Sequence, residues 1–485
     1  MEPSGEALAA ASSAGELGGG AGGQPHVLIV GAGFGGLACA RALAGAPVRV
    51  TILDQRNHHT FTPFLYQLAT ALLEPAEVVQ PVRQLLRHVG NAQFRLGRMT
   101  AVDLERRQVH TNCGELRYDY LVLAAGAVNN YFGNREIAER SFGLGDLFEA
   151  ERLRDRILLA CERAAWTSDP RERGRLLRFA VVGGGATGVE LAGALSELIH
   201  RVLSRDYPEL DMDAAEIALI EASDAPLAGY APRLQRAAQR ALERKRVQVI
   251  SATRAQRLDE QGLHLDGGRT LDAGTVIWAA GVRAAPAAQQ LAAALAEAGS
   301  RGPGQHATSD LRDSQGPDGA LGSHGRLRVS RTLQLPGHPE VLAIGDVAEI
   351  PGADGKPLPM LAQVAIQSGR HAAAVIAALL TGQQPSPFRY RDLGTMATQG
   401  RNAAVAQIGP LKLSGFLGWL AWLLVHIART VGVRTRVLVA VNWIAGYLLI
   451  DRPVRLITGV IEPDVDGERG RANERMRSRS QRGGN

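Results

Sequence analysis

The feature that most constrains this chain is a plan written twice. Residues 27–30 (VLIV) are a short apolar run of the kind that makes a buried parallel strand. Gly31-Ala32-Gly33-Phe34-Gly35-Gly36 follows and fits G-x-G-x-x-G, and residues 37–43 carry the small apolar side chains of a packed helix. Gly31 allows the tight turn, Gly33 lets a pyrophosphate approach the helix N-terminus, and Gly36 lets helix and strand pack closely. A second apolar run, residues 48–53, ends at Asp54, with Gln55 next. An acid about 20 residues beyond the glycines is where this fingerprint meets a ribose hydroxyl.

The second copy begins with Phe179-Ala180-Val181-Val182, and Gly183-Gly184-Gly185-Ala186-Thr187-Gly188 repeats the glycine spacing. Residues 189–203 read as its helix. Residues 217–220 read as a strand ending at Glu221, delayed by the longer connection 204–215. Each copy then closes on a strand ending in Ala-Gly, at Gly126 (YDYLVLAAG) and at Gly281 (VIWAAG), where a ligand can approach the backbone. Such a repeat predicts an α/β chain with two Rossmann-like dinucleotide-binding domains and two nucleotide sites.

Composition narrows the rest. The chain has 485 residues, enough for two or three domains. Its three cysteines, Cys39, Cys113 and Cys161, are widely spaced and form no C-x-x-C pair. That argues against a disulfide scaffold, a zinc site or a dithiol redox centre, and for an intracellular protein. His58 and His59 have no carboxylate or cysteine at ligand spacing, so no metal site is expected. From Arg401 onward 13 Lys/Arg face 6 Asp/Glu, so this end carries essentially all of the net charge of +6. A basic end beside apolar segments suits an anionic membrane surface more than nucleic acid.

Those apolar segments are residues 416–428 (FLGWLAWLLVHIA) and 437–450 (VLVAVNWIAGYLLI). At about 1.5 Å per residue neither spans a ~30 Å hydrocarbon core. Trp419, Trp422, Trp443 and Tyr447 suit the membrane interface, and Lys412, Arg429, Arg434, Arg436, Arg452 and Arg455 suit lipid head groups. Residues 77–88 read as a helix with Pro81 in its first turn. Residues 358–380 include a helix with Gln363, Gln367 and Arg370 on one side.

Two nucleotide folds in one chain suggest an electron relay, one nucleotide resident and the other visiting. The late apolar run 341–344 ends in Gly345-Asp346. A strand returning to the first fold with this ending is placed to bind the ribityl or pyrophosphate part of FAD. The second fold then takes the nicotinamide nucleotide. Glu221 favours NADH over NADPH, because an acid pairs with the ribose 2′-OH and repels a 2′-phosphate.

In this arrangement the chain resembles the type II NADH dehydrogenases, the single-subunit, non-pumping NADH:quinone oxidoreductases, over about residues 26–459. The resemblance is carried by GAGFGG (31–36), NHHTFTPFLYQLAT (57–70), VVGGGATGVELAG (181–193), AIGDVA (343–348), AQVAIQ (362–367), TMATQGR (395–401) and GFLGWLAWLLVH (415–426). It implies a glutathione-reductase-like flavoprotein plan with a C-terminal membrane-associated helical region. It implies that Ala362, Gln363, Ala365 and Gln367 line a quinone pocket beside the flavin. It implies that Pro63 and Tyr66 border the isoalloxazine, and that Glu190 lies near the nicotinamide and takes part in proton delivery. Ser368 and Leu393 depart from the family pattern, at positions expected near the quinone mouth. A sulfide:quinone oxidoreductase shares the plan but needs a reactive cysteine pair.

The domains expected are an FAD-binding domain (26–145 and 326–385), an NADH-binding domain (146–299) and a membrane-anchoring region (386–462). A disordered tail (1–25), a flexible insertion (300–325) and a basic tail (463–485) complete the chain. The expected setting is the cytoplasmic face of the inner membrane, with NADH, a quinone and the lipid bilayer as partners, no nucleic acid, and homodimerisation as a family tendency.

Overall fold

The computed structural model describes residues 23–301, 317–429, 433–449, 452 and 454–459. The tails 1–22 and 460–485, and residues 302–316 of the insertion, lie outside the described residues. The end of the insertion is built in: the Ser323 hydroxyl and backbone N–H donate to Glu349 Oε2 at 2.5 and 2.6 Å.

The first copy folds as its pattern requires. β1 (His26–Val30), β2 (Arg49–Asp54), β3 (Ala92–Leu96) and β4 (Tyr120–Leu123) form a parallel sheet with β1 in the middle. Val27 pairs with Val50 on one side and Tyr120 on the other. Val27, Leu28 and Ile29 are fully buried, each contributing roughly 1.5–3 kcal/mol by leaving water. Helix α1 (Phe34–Ala42) follows the glycine turn.

The chain leaves this sheet through β5 (Ala127–Asn129), immediately after Gly126. The second parallel sheet is β6 (Arg178–Val182), β7 (Glu216–Ile220), β8 (Val247–Ile250) and β9 (Thr275–Trp278), in the order 9-6-7-8. Its register repeats that of the first, with Phe179 paired to Ile217 and Thr275. Helix α2 (Ala186–Glu197) opens at the second glycine turn and continues into a π-turn over Leu198–Leu203. After Gly281, β10 (Val282–Ala284) pairs antiparallel with β5, so the strands leaving the two copies form one ribbon.

The helix after the ribbon, α3 (Ala287–Arg301), buries Ala288, Leu291 and Ala292 in the core of the first sheet. The chain thus rejoins the first layer at the ribbon, earlier than residue 326. β11 (His338–Ala343) pairs parallel with β4 and brings Gly345-Asp346 to the first sheet. Helix α4 (Ala362–Leu380) packs on α1.

A three-stranded antiparallel sheet, Thr395–Thr398, Ala404–Ile408 and Leu411–Gly415, leads into α5 (Phe416–Arg429) and α6 (Val433–Leu449). Both apolar segments are therefore helical. Among the described residues no helix is long and apolar enough to cross a membrane. The helix expected over 77–88 is instead a turn, Pro75–Val78, a short strand, Val79–Pro81, and a turn, Val82–Leu85. Val79–Pro81 pairs with His58–Thr60, and that pairing outweighs the local helical preference.

Candidate active site

The two glycine turns superpose in their chemistry. Gly31 has φ +114° and Gly183 φ +107°, in the region that favours glycine. A Cβ at Gly36 would stand 1.9 Å from the Gly31 carbonyl oxygen, and one at Gly188 would stand 1.8 Å from that of Gly183. Glycine is thus required where helix and turn touch. Gly33 and Gly185, by contrast, have open space beside them, and neither helix start is capped by a side chain. The first N–H groups of α1 and α2 are available to a phosphate. Gly35 is buried against the Ala365 carbonyl.

Each acid is fixed before any ligand arrives. Asp54 Oδ2 accepts from the Ala32 N–H at 2.6 Å and Oδ1 from the Arg56 N–H at 2.8 Å. Glu221 Oε2 accepts from the Gly184 N–H at 2.5 Å and Oε1 from the Ser223 N–H at 2.6 Å. The spacing seen in sequence thus becomes the same backbone clasp in both copies. Gln55 is exposed beside the first clasp. Phe34 makes edge contacts with His59 and Phe61, and His59 Nδ1 lies 3.1 Å from the Ala32 carbonyl.

The first cradle has a further group. Asp346, in the turn after β11, has a sealed Oδ1 with no hydrogen-bond partner, and burial pushes its carboxyl up to about 6 while Arg326 pulls it down. A buried acceptor left unpaired is costly unless a ligand hydroxyl or N–H completes it. Gly126, at φ +72°, also has open space beside it. An acceptor, a bare helix start and a clasped acid suit in their chemistry the ribityl hydroxyls, pyrophosphate and ribose of FAD.

Between the cradles and the C-terminal helices lies Glu190, on α2 and 8% exposed. Its Oε1 accepts from the Thr398 N–H at 3.2 Å and from Trp422 Nε1 at 3.3 Å. Burial pushes this carboxyl up to about 8, against the pull of those two donors. A cavity of about 110 Å³ lies beside it, lined by Tyr66, Glu197, Trp419, Trp422, Trp443 and Arg452, among others. Pro63 sits in the 3₁₀ turn Thr62–Phe64 that leads to Tyr66, and Tyr66 is buried.

The AQVAIQ glutamines are held by the backbone of the segment that follows α4. Gln363 clasps the backbone of the 391–394 segment, donating to the Gly394 carbonyl at 3.2 Å and accepting from the Leu393 N–H at 3.1 Å. Gln367 does the same with Arg391, at 2.9 and 3.0 Å. Ala362 is at the start of α4. Ser368 is fully buried and accepts from the Gly345 N–H at 3.1 Å, so it supports the Asp346 turn and is not at a pocket mouth. Leu393 is 39% exposed.

Several C-terminal residues read as lipid contacts face inward. Trp422 is 2% exposed, and Trp443 donates to Gln67 Oε1 at 2.7 Å. Arg452 is buried, donating to the Thr70 carbonyl at 2.5 Å and pairing with Glu197 at 3.5 Å. Arg455 pairs with Asp206 at 2.7 Å. Burial can only bring indoles and guanidinium groups inside when partners await them, and those partners are remote in sequence. Tyr447 and Arg434 have no described side chain. Among the described residues no group of three His, Cys, Asp or Glu could hold a metal ion.

The pattern of the pyridine nucleotide-disulphide oxidoreductase family matches residues 25–303, and that of the NDH2 C-terminal domain matches residues 393–450. The type II NADH:quinone oxidoreductase Ndh of Mycobacterium tuberculosis is 36% identical over 447 residues, covering 89% of this chain and 90% of that protein. The structure of NDH2 from Plasmodium falciparum in complex with NADH matches with a TM-score of 0.78 at 19% identity, over 89% of this chain and 99% of that one. The sulfide:quinone oxidoreductase of Aquifex aeolicus matches less well, with a TM-score of 0.60 at 17% identity, over 82% and 88% of the two chains.

Proposed function

The chain belongs to the type II NADH:quinone oxidoreductases, and we infer that it oxidises NADH through bound FAD and reduces a membrane quinone without pumping protons. The observation that carries the assignment of sites is Asp346, a sealed acceptor on the strand returning to the first cradle. FAD belongs in that cradle and NADH in the second. When bound, FAD supplies the two-electron chemistry, taking hydride from NADH and passing the pair to quinone.

The chain's own residues bind, orient and hold a proton. Gly33 leaves room for the FAD pyrophosphate, Asp54 meets its ribose, and Asp346 accepts from a ribityl hydroxyl. Gly185 and Glu221 do the first two tasks for NADH, and Gly281 admits the nicotinamide end. Glu190 is protonated at neutral pH because it is buried, so it can donate where quinone gains electrons. The balance requires one such proton: NADH, one H⁺ and quinone give NAD⁺ and quinol.

The outer faces of α5 and α6 suit a membrane surface. Leu417, Leu420 and Leu424 recur at helical spacing, as do Val437, Val441 and Ile444, and all are exposed. This supports an enzyme lying in the membrane interface. The same helices are the candidate face for a homodimer.

A sulfide:quinone oxidoreductase reading lacks its thiols. Cys39 and Cys161 are buried and burial pushes both up to about 12, while Cys113 is exposed on a separate hairpin. The deciding experiment follows the flavin absorbance of the purified protein. Bleaching by NADH and recovery with menadione are expected. Bleaching by sulfide but not by NADH would overturn the assignment.

A further inference from the structure

The cavity beside Glu190 contains a hydrogen-bond chain whose direction is fixed. Indole N–H groups only donate. Trp443 Nε1 donates at 2.7 Å to the Gln67 side chain, which makes that atom the amide oxygen. The amide nitrogen of Gln67 therefore faces the Tyr66 hydroxyl, 2.9 Å away, and donates to it. A hydroxyl that accepts there must send its own proton elsewhere. No acceptor for the Tyr66 proton lies within hydrogen-bond distance among the described residues.

Tyr66 is 5% exposed. It lines the same cavity as Trp419, Trp422 and Trp443. The cavity thus offers indole walls for a flat ring and a buried O–H aimed by the protein. At about 110 Å³ it is well below the roughly 300–1,000 Å³ of a drug-sized pocket, so it takes a headgroup and leaves a prenyl tail outside. The glutamines of α4 each spend one amide N–H on the backbone of the 391–394 segment, and neither lines this cavity.

We propose that the quinone ring binds in this indole-walled cavity, that the Tyr66 hydroxyl donates a hydrogen bond to one of its carbonyl oxygens, and that Gln67 and Trp443 are positioning residues that aim it. The proposal rests on the quinone-reductase reading above and adds where the acceptor sits and what polarises it. The hydrogen bond stabilises negative charge as electrons reach the carbonyl. The proton stays on Tyr66: burial, with the charge of Glu190 second, holds its pKa well above the ordinary value.

Equilibrium dialysis of menadione against the oxidised, FAD-loaded full-length chain, without NADH, tests this apart from turnover. Tyr66→Phe is expected to raise the Kd about tenfold, the worth of one buried hydrogen bond. Gln67→Glu is the sharper variant. The introduced carboxylate accepts from Trp443 and from Tyr66 alike, so it draws the hydroxyl proton away from the ligand. The same rise of about tenfold is expected, in a side chain of unchanged size. Trp443→Phe releases the amide and should give a smaller rise. A Kd within about twofold of the unsubstituted enzyme for both Tyr66→Phe and Gln67→Glu overturns the proposal. So does a Tyr66→Phe variant whose flavin absorbance shifts while menadione binding does not, since Tyr66 would then serve the flavin. If Gln367→Ala weakens binding and Tyr66→Phe does not, the ring sits on the glutamine side and the proposal fails while the function stands. An unsubstituted enzyme that neither binds menadione nor reduces it with NADH overturns both.

Discussion

Trp422 donates its indole N–H to Glu190 Oε1 across 3.3 Å, joining the second nucleotide fold to the first C-terminal helix. The carboxyl it meets is buried, and burial pushes it up to about 8 from an ordinary 4.5. Tyr66 and Tyr230 also feel its charge. Because the folded state binds this proton more tightly, the stabilisation is fully present below about pH 4.5 and is lost as pH rises to about 8. Thermal melts should therefore show Tm falling across this window, and Glu190→Gln should flatten the fall. Quinone reduction at saturating NADH should decline above about pH 8, and the Gln variant should lose about 10²-fold in kcat with that limb of the pH profile. An unchanged profile in the variant removes Glu190 from proton delivery.

We propose that Asp346 governs retention of the flavin. Its sealed Oδ1 is a strong acceptor with no protein donor, and such a bond to a ligand hydroxyl is worth about 1.5–3 kcal/mol. Asp346→Ala should weaken FAD binding by roughly ten- to a hundredfold. Protein purified at low concentration should then be pale, with the yellow colour restored by added FAD. Ser368→Ala removes the hydroxyl that holds the Gly345 N–H and should show a milder form of the same loss.

How much of this was legible depended on how far apart the partners lie. Residues 27–36 and 179–188 hold strand, turn and helix start within ten positions, so their geometry follows from local sequence. Asp54 and Glu221 were legible for the same reason: each ends the next strand and is clasped by the turn itself. Residues 77–88 were misread because Val79–Pro81 is drawn into a pairing with His58–Thr60 that no local pattern announces. Trp443 and Arg452 were misread more deeply. Beside apolar helices they look like interface anchors, yet their partners, Gln67 and Thr70, stand 376 and 382 residues away. Only the fold could tell an indole facing lipid from an indole facing a glutamine.

We propose that nucleotide choice rests on Glu221. Both carboxylate oxygens are held by backbone N–H groups, of Gly184 and Ser223, so the side chain is aimed without help from the ligand. Glu221→Gln keeps the shape and removes the charge that repels a 2′-phosphate. The ratio of kcat/KM for NADH over NADPH should fall about tenfold, mostly through a lower KM for NADPH. Steady-state rates with both nucleotides check this, and an unchanged ratio would move the discriminating group elsewhere.

Membrane attachment should depend on the outward faces of α5 and α6 and not on their inward indoles. Leu417 and Leu424 are each 63% exposed and Ile444 is 59% exposed, whereas Trp422 is buried against Glu190 on the opposite side of its helix. A helix with one face docked and the other apolar lies along an interface, its leucines reaching about 5–10 Å into the head-group boundary. Leu417→Glu with Leu424→Glu should therefore abolish co-sedimentation with anionic vesicles while leaving NADH-driven flavin reduction intact, because neither side chain touches the cradles. Full vesicle binding by this double variant would sink the interfacial arrangement. Raising the salt should weaken the unsubstituted protein only in part: the charge contribution from Lys412, Arg429 and Arg436 is screened, and the apolar contribution remains.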